Sequence, residues 1–112
     1  MTALRNVNNT LSLYGPTATM AGVVSEVWHN DVLHNEAGPA RIWTSGTREW
    51  RINGLLHRTT GPAIEYGNGS KAWYCNGKLH RDDGPAIEWA SGYCEWWTRG
   101  NRIRIKYPKA KA

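Results

Sequence analysis

The chain has 112 residues, of which 40% are hydrophobic, with seven Trp, five Tyr, twelve Gly and no Phe. This length suits one compact domain or a short repeat array, and it leaves no room for a separate catalytic domain. No apolar stretch approaches the roughly 20 residues that a membrane-spanning helix needs, and the N-terminus lacks a signal pattern. We therefore expect a cytoplasmic protein without membrane contact.

The net charge of +5 is unevenly distributed along the chain. Residues 1–95 carry eight basic and nine acidic side chains, whereas residues 96–112 carry six basic side chains and no acidic one. A basic balance over the whole chain would indicate nucleic acid as the partner. Here the body is nearly neutral, so that prediction is restricted to the C-terminal end.

A unit of 23 residues recurs along the chain. The same step links three tryptophans, three Leu-His pairs and three Gly-Pro-Ala triplets. The repeated positions are Trp50, Trp73 and Trp96; His34, His57 and His80; and Gly38-Pro39, Gly61-Pro62 and Gly84-Pro85. Repeats of this length predict an array in which each unit buries its apolar surface only against its neighbours. We assign the three tryptophans to that core.

We divide the chain into a capping repeat, a β-repeat array and a tail. The array consists of three full copies of the unit and one partial copy, and the end units are atypical because each faces water on one side. The boundaries are 1–26 for the degenerate capping repeat; 27–49, 50–72, 73–95 and the partial 96–104 for the array; and 105–112 for the basic flexible tail.

Each unit contains the signals of a β-hairpin. Asn-Gly at 53–54 and 76–77 predicts type I′ turns, because both central residues of such a turn need positive φ. The strand after each turn ends at Gly-Pro, because proline has no amide hydrogen to donate to a ladder. We predict an all-β fold: an antiparallel meander of β-hairpin repeats in a single elongated sheet, with almost no helix and with the Trp rings of successive copies stacked together.

The unit Trp-x-x-Asn-Gly-x-Leu-His-Arg-x-x-Gly-Pro-Ala resembles the MORN-variant repeats that are common in bacteriophage and giant-virus proteins. The resemblance covers roughly residues 27–104. The unit departs from ordinary MORN units, because Leu-His-Arg and Gly-Pro-Ala are additions in this chain. The resemblance implies a MORN-like scaffold of β-hairpins that binds other proteins, and a viral origin. It brings no catalytic residue with it.

The three repeated histidines suggest a metal site, but their spacing argues against one. Equivalent side chains of successive copies lie two strands apart, on the order of 10 Å, whereas the ligands of a zinc ion lie about 2 Å from one point. We assign His34, His57 and His80 a structural role in which each packs on a tryptophan and bonds a loop carbonyl. No serine or cysteine recurs beside them, so we expect neither an enzyme nor a metal or other cofactor.

The candidate binding residues lie where the copies differ, because the scaffold accounts for the repeated positions. Exposed Trp and Tyr are preferred interface anchors, and the alternation of cations with Ile103 and Ile105 predicts a last strand with one apolar and one cationic face. The candidates are Tyr74, Tyr93, Trp97, Arg99, Arg102, Arg104 and Lys106.

The leading functional hypothesis is a non-enzymatic, phage-encoded accessory protein that binds a host protein and inhibits or redirects it. A component of antiviral defence is the suggested target. The first alternative is a nucleic-acid-binding protein that uses the basic C-terminal tail and exposed aromatic residues. The second is a structural protein whose edge strands pair into a homo-oligomer.

Overall fold

The computed structural model describes residues 2–6 and 22–108. These residues form fourteen β-strands and no helix, which confirms the predicted all-β fold. They therefore contain no helix that could span a membrane. Residues 7–21 of the capping repeat and residues 109–112 of the tail lie outside the described residues. The strands are β1 (Thr2–Asn6), β2 (Val23–His29), β3 (Val32–Leu33), β4 (Arg41–Trp43), β5 (Arg48–Glu49), β6 (Arg51–Ile52), β7 (Leu55–Leu56), β8 (Ile64–Glu65), β9 (Lys71–Ala72), β10 (Tyr74–Cys75), β11 (Lys78–Leu79), β12 (Ile87–Glu88), β13 (Cys94–Thr98) and β14 (Asn101–Lys106).

Nine strands follow one another in an open antiparallel sheet, in the order β1-β2-β4-β5-β8-β9-β12-β13-β14. Strand β3 adds to β2, while β6–β7 and β10–β11 form separate two-stranded hairpins. The molecule extends over 53 × 29 × 20 Å. The predicted meander in an elongated sheet is therefore confirmed for the described residues.

Left-handed tight turns recur once per copy. Asn53 and Gly54 have φ of 51° and 83°, and Asn76 and Gly77 have 49° and 82°, as type I′ turns require. The partial copy keeps this turn with a different first residue, because Arg99 has φ of 49° and Gly100 has 82°. The hairpin prediction is confirmed, and it extends to a copy that lacks the Asn.

The deepest positions of the array are occupied by small residues. Ala40, Ala63 and Ala86 of the Gly-Pro-Ala triplets have no exposed surface. The Ala63 N–H donates to the Ala72 carbonyl at 2.9 Å, and the Ala63 carbonyl accepts from the Trp50 N–H at 2.7 Å. The triplet thus places its alanine between two strands of the sheet, where the full burial leaves no room for a larger side chain.

The register defines the two faces of the sheet, because residues paired across antiparallel strands point to the same side. One face carries a row of paired residues, and aromatic side chains stand two positions away along the strands. We call it the aromatic face. The row is Glu26, Arg41, Glu49, Ile64, Ala72, Ile87, Glu95 and Ile105, and the aromatic residues include Trp28, Trp43, Tyr66, Tyr74, Trp89 and Trp97. The opposite side, the stacked face, carries Trp50, Trp73 and Trp96.

Each repeated histidine holds the turn of the next copy. The Nδ1 atom of His57 accepts the N–H of Asn76 at 3.0 Å, and the same contact joins His34 to Asn53 at 2.8 Å and His80 to Arg99 at 3.0 Å. The expected bond from histidine to a loop carbonyl is therefore wrong. The first residue of a two-residue turn has an N–H without a partner in its own hairpin, and the imidazole of the preceding copy supplies the acceptor.

An arginine of the same copy covers each repeated tryptophan. The guanidinium carbons of Arg58, Arg81 and Arg104 lie 3.8, 3.8 and 4.0 Å from the ring centroids of Trp50, Trp73 and Trp96. The three rings are half-buried. The predicted column of rings stacked copy on copy is wrong, because a cation–π contact takes its place.

The first copy replaces both members of this pair. Val27 stands at the Trp position and Asn35 stands eight residues later at the Arg position. The Asn35 amide still donates to the Pro39 carbonyl at 3.0 Å, just as Arg58 donates to the Pro62 carbonyl at 3.1 Å. The hydrogen bond to the Gly-Pro loop is kept where the ring contact is lost.

Candidate binding surface

Two of the three predicted aromatic anchors are packed into the aromatic face. Trp97 is half-buried, and its Nε1–H donates to Glu95 Oε1 at 2.8 Å. Tyr74 is also half-buried, and desolvation, followed by the neighbouring Tyr66, raises its pKa above the ordinary value, while Arg51 acts in the opposite direction. Both side chains therefore contribute to the scaffold as well as to the surface.

Tyr93 belongs to a shallow cleft at the C-terminal end of the aromatic face. Its ring packs against Tyr107, with centroids 5.1 Å apart and planes tilted by 45°. The cleft has a volume of about 470 Å³ and is lined by Trp89, Ser91, Tyr93, Glu95, Tyr107 and Pro108. We call it the C-terminal cleft. It joins the last full copy to residues that follow β14.

Glu95 fixes the polar groups of this cleft. Desolvation, followed by the hydrogen bond and the charge of Glu95, raises the pKa of Tyr93 above its ordinary value. The phenol is therefore protonated at neutral pH. Because Glu95 also accepts from Trp97, the two aromatic side chains are oriented by one carboxylate.

Two of the four candidate cations occupy repeat positions. Arg99 is the first residue of the fourth turn, with its N–H bonded to His80, and Arg104 covers Trp96. Arg102 and Lys106 are exposed on β14. In the described part of the chain, no carboxylate lies within ion-pair distance of these four side chains.

A β-bulge distributes the cations of β14 over both faces. The register shifts between Trp96 and Trp97, so that Arg104 pairs with Trp96 and Arg102 pairs with Trp97. Trp96 and Trp97 point to opposite sides, and so do their partners. The prediction of one apolar and one cationic face is therefore wrong, because Ile103 is the extra residue that interrupts the alternation.

The exposed apolar surface is concentrated at the same end. Of the seven large hydrophobic residues that are exposed in the described part of the chain, four lie between residues 89 and 107. They are Trp89, 44% exposed; Ile103, 66%; Ile105, 37%; and Tyr107, 69%. Exposed aromatic and aliphatic side chains gathered in one region are typical of an interaction site.

Trp89 and Tyr107 are not among the binding residues predicted from the sequence. Trp89 stands at a repeated aromatic position, with Trp43 and Tyr66 as its equivalents, and the repetition predicts a scaffold role. Tyr107 falls in the segment assigned to the tail, although β14 extends to Lys106 and Tyr107 packs on Tyr93. The signal for Trp89 was its place in the last full copy, which no further full copy covers.

The other end of the aromatic face holds a buried ion-pair network that the sequence analysis also missed. Glu49 is 7% exposed and accepts from Trp43 Nε1 at 2.6 Å and from Arg51 Nε at 2.8 Å. Arg41 pairs with Glu26 at 3.0 Å. A buried carboxylate with several donors is fully satisfied, so we attribute this network to the scaffold.

Neither metal-ligand clusters nor disulfides are found among the residues described. No group of three or more His, Cys, Asp or Glu side chains there is arranged to hold a metal ion, and Cys75 and Cys94 are both free thiols. Comparisons with protein-family models, curated proteins and solved structures gave no match. The geometry of the surface is therefore the basis on which a function is proposed.

Proposed function

We propose that this protein is a non-enzymatic binding scaffold that contacts a partner protein through the C-terminal cleft and strand β14. The observation that carries this proposal is the concentration of four of the seven exposed large hydrophobic residues at this end of the array. Exposed apolar clusters of this kind favour association, because burying them against a partner removes apolar area from water.

The aromatic side chains of the cleft suit this role. Trp89 and Tyr107 are exposed, and Tyr107 is held against Tyr93. Rings that are already positioned lose little conformational freedom when a partner binds, so more of the contact energy contributes to affinity. Trp and Tyr are also the residues that most often dominate interface energetics.

The resemblance to repeats of viral proteins makes a host protein the proposed partner, and inhibition or redirection of that protein the proposed effect. Nucleic acid is the second candidate ligand. It is favoured by Arg99, Arg102 and Lys106, which are exposed without a carboxylate partner among the described residues. Binding of that kind weakens steeply with salt, in proportion to the phosphates that are neutralised.

Affinity capture from a bacterial lysate at physiological salt tests the proposal. The test variant is Trp89→Ala/Tyr107→Ala, and the matched control is Val32→Ala/Leu55→Ala, which removes exposed apolar side chains far from the cleft. We expect a specific protein to be retained by the wild type and the control and to be lost, by about tenfold or more, from the cleft variant. Far-UV circular dichroism verifies that all variants fold.

Two results would overturn the proposal. One is equal capture of the same protein by the cleft variant and the wild type. The other is the absence of any specific captured protein. Capture that disappears after nuclease treatment would instead support the nucleic-acid candidate.

A further inference from the structure

Strand β14 is an edge of the main sheet. Among the described residues it pairs only with β13, and all six of its residues are exposed. Alternate N–H and C=O groups on the outer side of an edge strand have no partner in the sheet. At six residues, β14 is also longer than the two-residue strands that make up most of the array, so it offers a continuous row of such groups.

The charge of β14 selects what can pair with it. The strand contains Arg102, Arg104 and Lys106 and no acidic residue. Two copies of β14 that paired with each other would bring these cations close together, and like charges across a strand pair are destabilising. An acidic strand would meet opposite charges instead. The same cations that discourage self-association therefore favour an acidic occupant.

The register of β14 places different chemistry on its two sides. Arg104 and Lys106 pair with Trp96 and Cys94 and lie on the stacked face, whereas Ile105 pairs with Glu95 and lies on the aromatic face. Tyr107 continues on the aromatic face and lines the C-terminal cleft. After the bulge, over residues 104–107, a strand added beside β14 would therefore face cations on one side of the sheet and apolar groups on the other, while Arg102 adds one cation on the aromatic face.

We propose that β14 binds an extended segment of the partner protein, in which acidic and apolar residues alternate, and adds it to the sheet as a further strand. This inference rests on the proposed function and specifies the chemistry of the partner. Backbone hydrogen bonds from the open edge give affinity, and the alternating side chains give specificity. A nucleic acid would satisfy the cations, but it offers neither a strand edge to pair with nor alternating apolar side chains.

A synthetic octapeptide of alternating Glu and Val, blocked at both ends, is the first probe. We expect saturable binding to the wild-type chain by fluorescence polarisation, and at least about tenfold weaker binding of the corresponding Lys–Val peptide. Two further peptides carry backbone N-methyl groups, one on every Val nitrogen and the other on every Glu nitrogen. Because alternate N–H groups of a strand point to the same edge, each of these peptides has one edge that cannot donate hydrogen bonds. At least one of them should bind about tenfold more weakly than the unmodified peptide.

Variants and hydrogen exchange locate the site. Arg102→Glu/Lys106→Glu should lower the affinity for the Glu–Val peptide by about tenfold, while Lys78→Glu, which reverses an exposed cation on β11, should leave it within about twofold. Amide hydrogen exchange followed by NMR should show slower exchange of alternate β14 amides when the peptide is bound.

The inference is overturned if the Glu–Val peptide does not bind, if both N-methylated peptides bind as well as the unmodified one, or if β14 amides gain no protection. If a single-stranded oligonucleotide competes with the peptide and binds more tightly, the result would contradict strand addition and would indicate that β14 contacts phosphate groups. If a protein is captured through the cleft but the peptide does not bind, strand addition is contradicted and the proposed function stands. If the peptide binds but no protein is captured, the proposed host-protein partner is contradicted and strand addition to β14 stands.

Discussion

The repeated histidines stabilise the array through one lone pair. Nδ1 of His57 accepts the N–H of Asn76 at 3.0 Å, and because the backbone amide can only donate, Nδ1 carries no proton. The bond spans 19 residues and joins one copy to the next. The same contact at three successive junctions explains why this side chain recurs at the period of the repeat.

Substituting Asn or Leu for His57 separates the contribution of the hydrogen bond to stability from that of the packing. The Oδ1 atom of Asn lies near the position of Nδ1, whereas Leu has a similar shape and no acceptor. We expect His57→Leu to lower the free energy of unfolding by about 1 kcal/mol more than His57→Asn does. Urea unfolding followed by circular dichroism measures the difference, and equal stability of the two variants would contradict the assigned role.

The pair of Trp50 and Arg58 is tested by converting it to the pair found in the first copy. The variants are Trp50→Val, Arg58→Asn and the double substitution, which reproduces Val27 and Asn35. We expect the double variant to be less destabilised than the sum of the single variants, with a coupling energy of about 0.5–1 kcal/mol. Additive losses in urea unfolding would show that the stacking contributes nothing of its own.

The fourth turn is the element in which sequence and backbone agree least. Arg99 has φ of 49°, a conformation that Asn tolerates better than residues with longer side chains. Arg99→Asn should therefore raise the free energy of unfolding by about 0.5–1 kcal/mol. Arg99→Ala is the control, because it removes the same charge without supplying a residue suited to the turn. Thermal unfolding that gives equal midpoints for the two variants would count against this explanation.

The elements that were predicted correctly depend on local chemistry. Asn and Gly tolerate the positive φ of a type I′ turn better than other residues, and proline cannot donate to a strand ladder, so the hairpins and the meander followed from short segments. The bulge at Ile103 depends on how β14 pairs with β13, and no local pattern contained that information. The faces of Arg102 and Arg104 could therefore be assigned only from the register.

Only part of the candidate surface was predicted, because exposure at the end of the array depends on which copy follows and not on the local sequence. Tyr93 was selected because it interrupts the repeat, and it does line the C-terminal cleft. Trp89 was passed over because it obeys the repeat. A repeated residue is covered only where a following copy covers it, so the end of the array exposes positions that are shielded elsewhere. The joint replacement of Trp and Arg in the first copy is the sequence signal for the stacking of Arg on Trp, and it is visible only when the two positions are compared together.

At the scale of the whole molecule, the stability of this thin array depends on its faces rather than on a deep core. The positions without exposed surface are small residues such as Ala63 and Ala86, while the repeated Trp side chains are half-buried along the sheet. Tyr66 and Tyr74 lie together on the aromatic face, and desolvation is the main cause that raises the pKa of each. A titration of these phenols is therefore expected to affect the fold.

The sign of that effect follows from the raised pKa values. An unfolded tyrosine titrates near pH 10, so between about pH 10 and the raised values the folded chain holds protons that the unfolded chain has lost. The protonated phenols favour folding fully below about pH 10, and their contribution is lost as the pH rises through the folded pKa values. We expect the free energy of unfolding in urea to be lower at pH 11 than at pH 8, with the contribution of these phenols lost only above about pH 10. The fall should be smaller in Tyr66→Phe/Tyr74→Phe, which cannot ionise at these positions, and unchanged in Tyr107→Phe, which removes an exposed phenol. Because lysine deprotonation is common to all three proteins, an equal fall in all of them would show that the aromatic face does not control the alkaline stability.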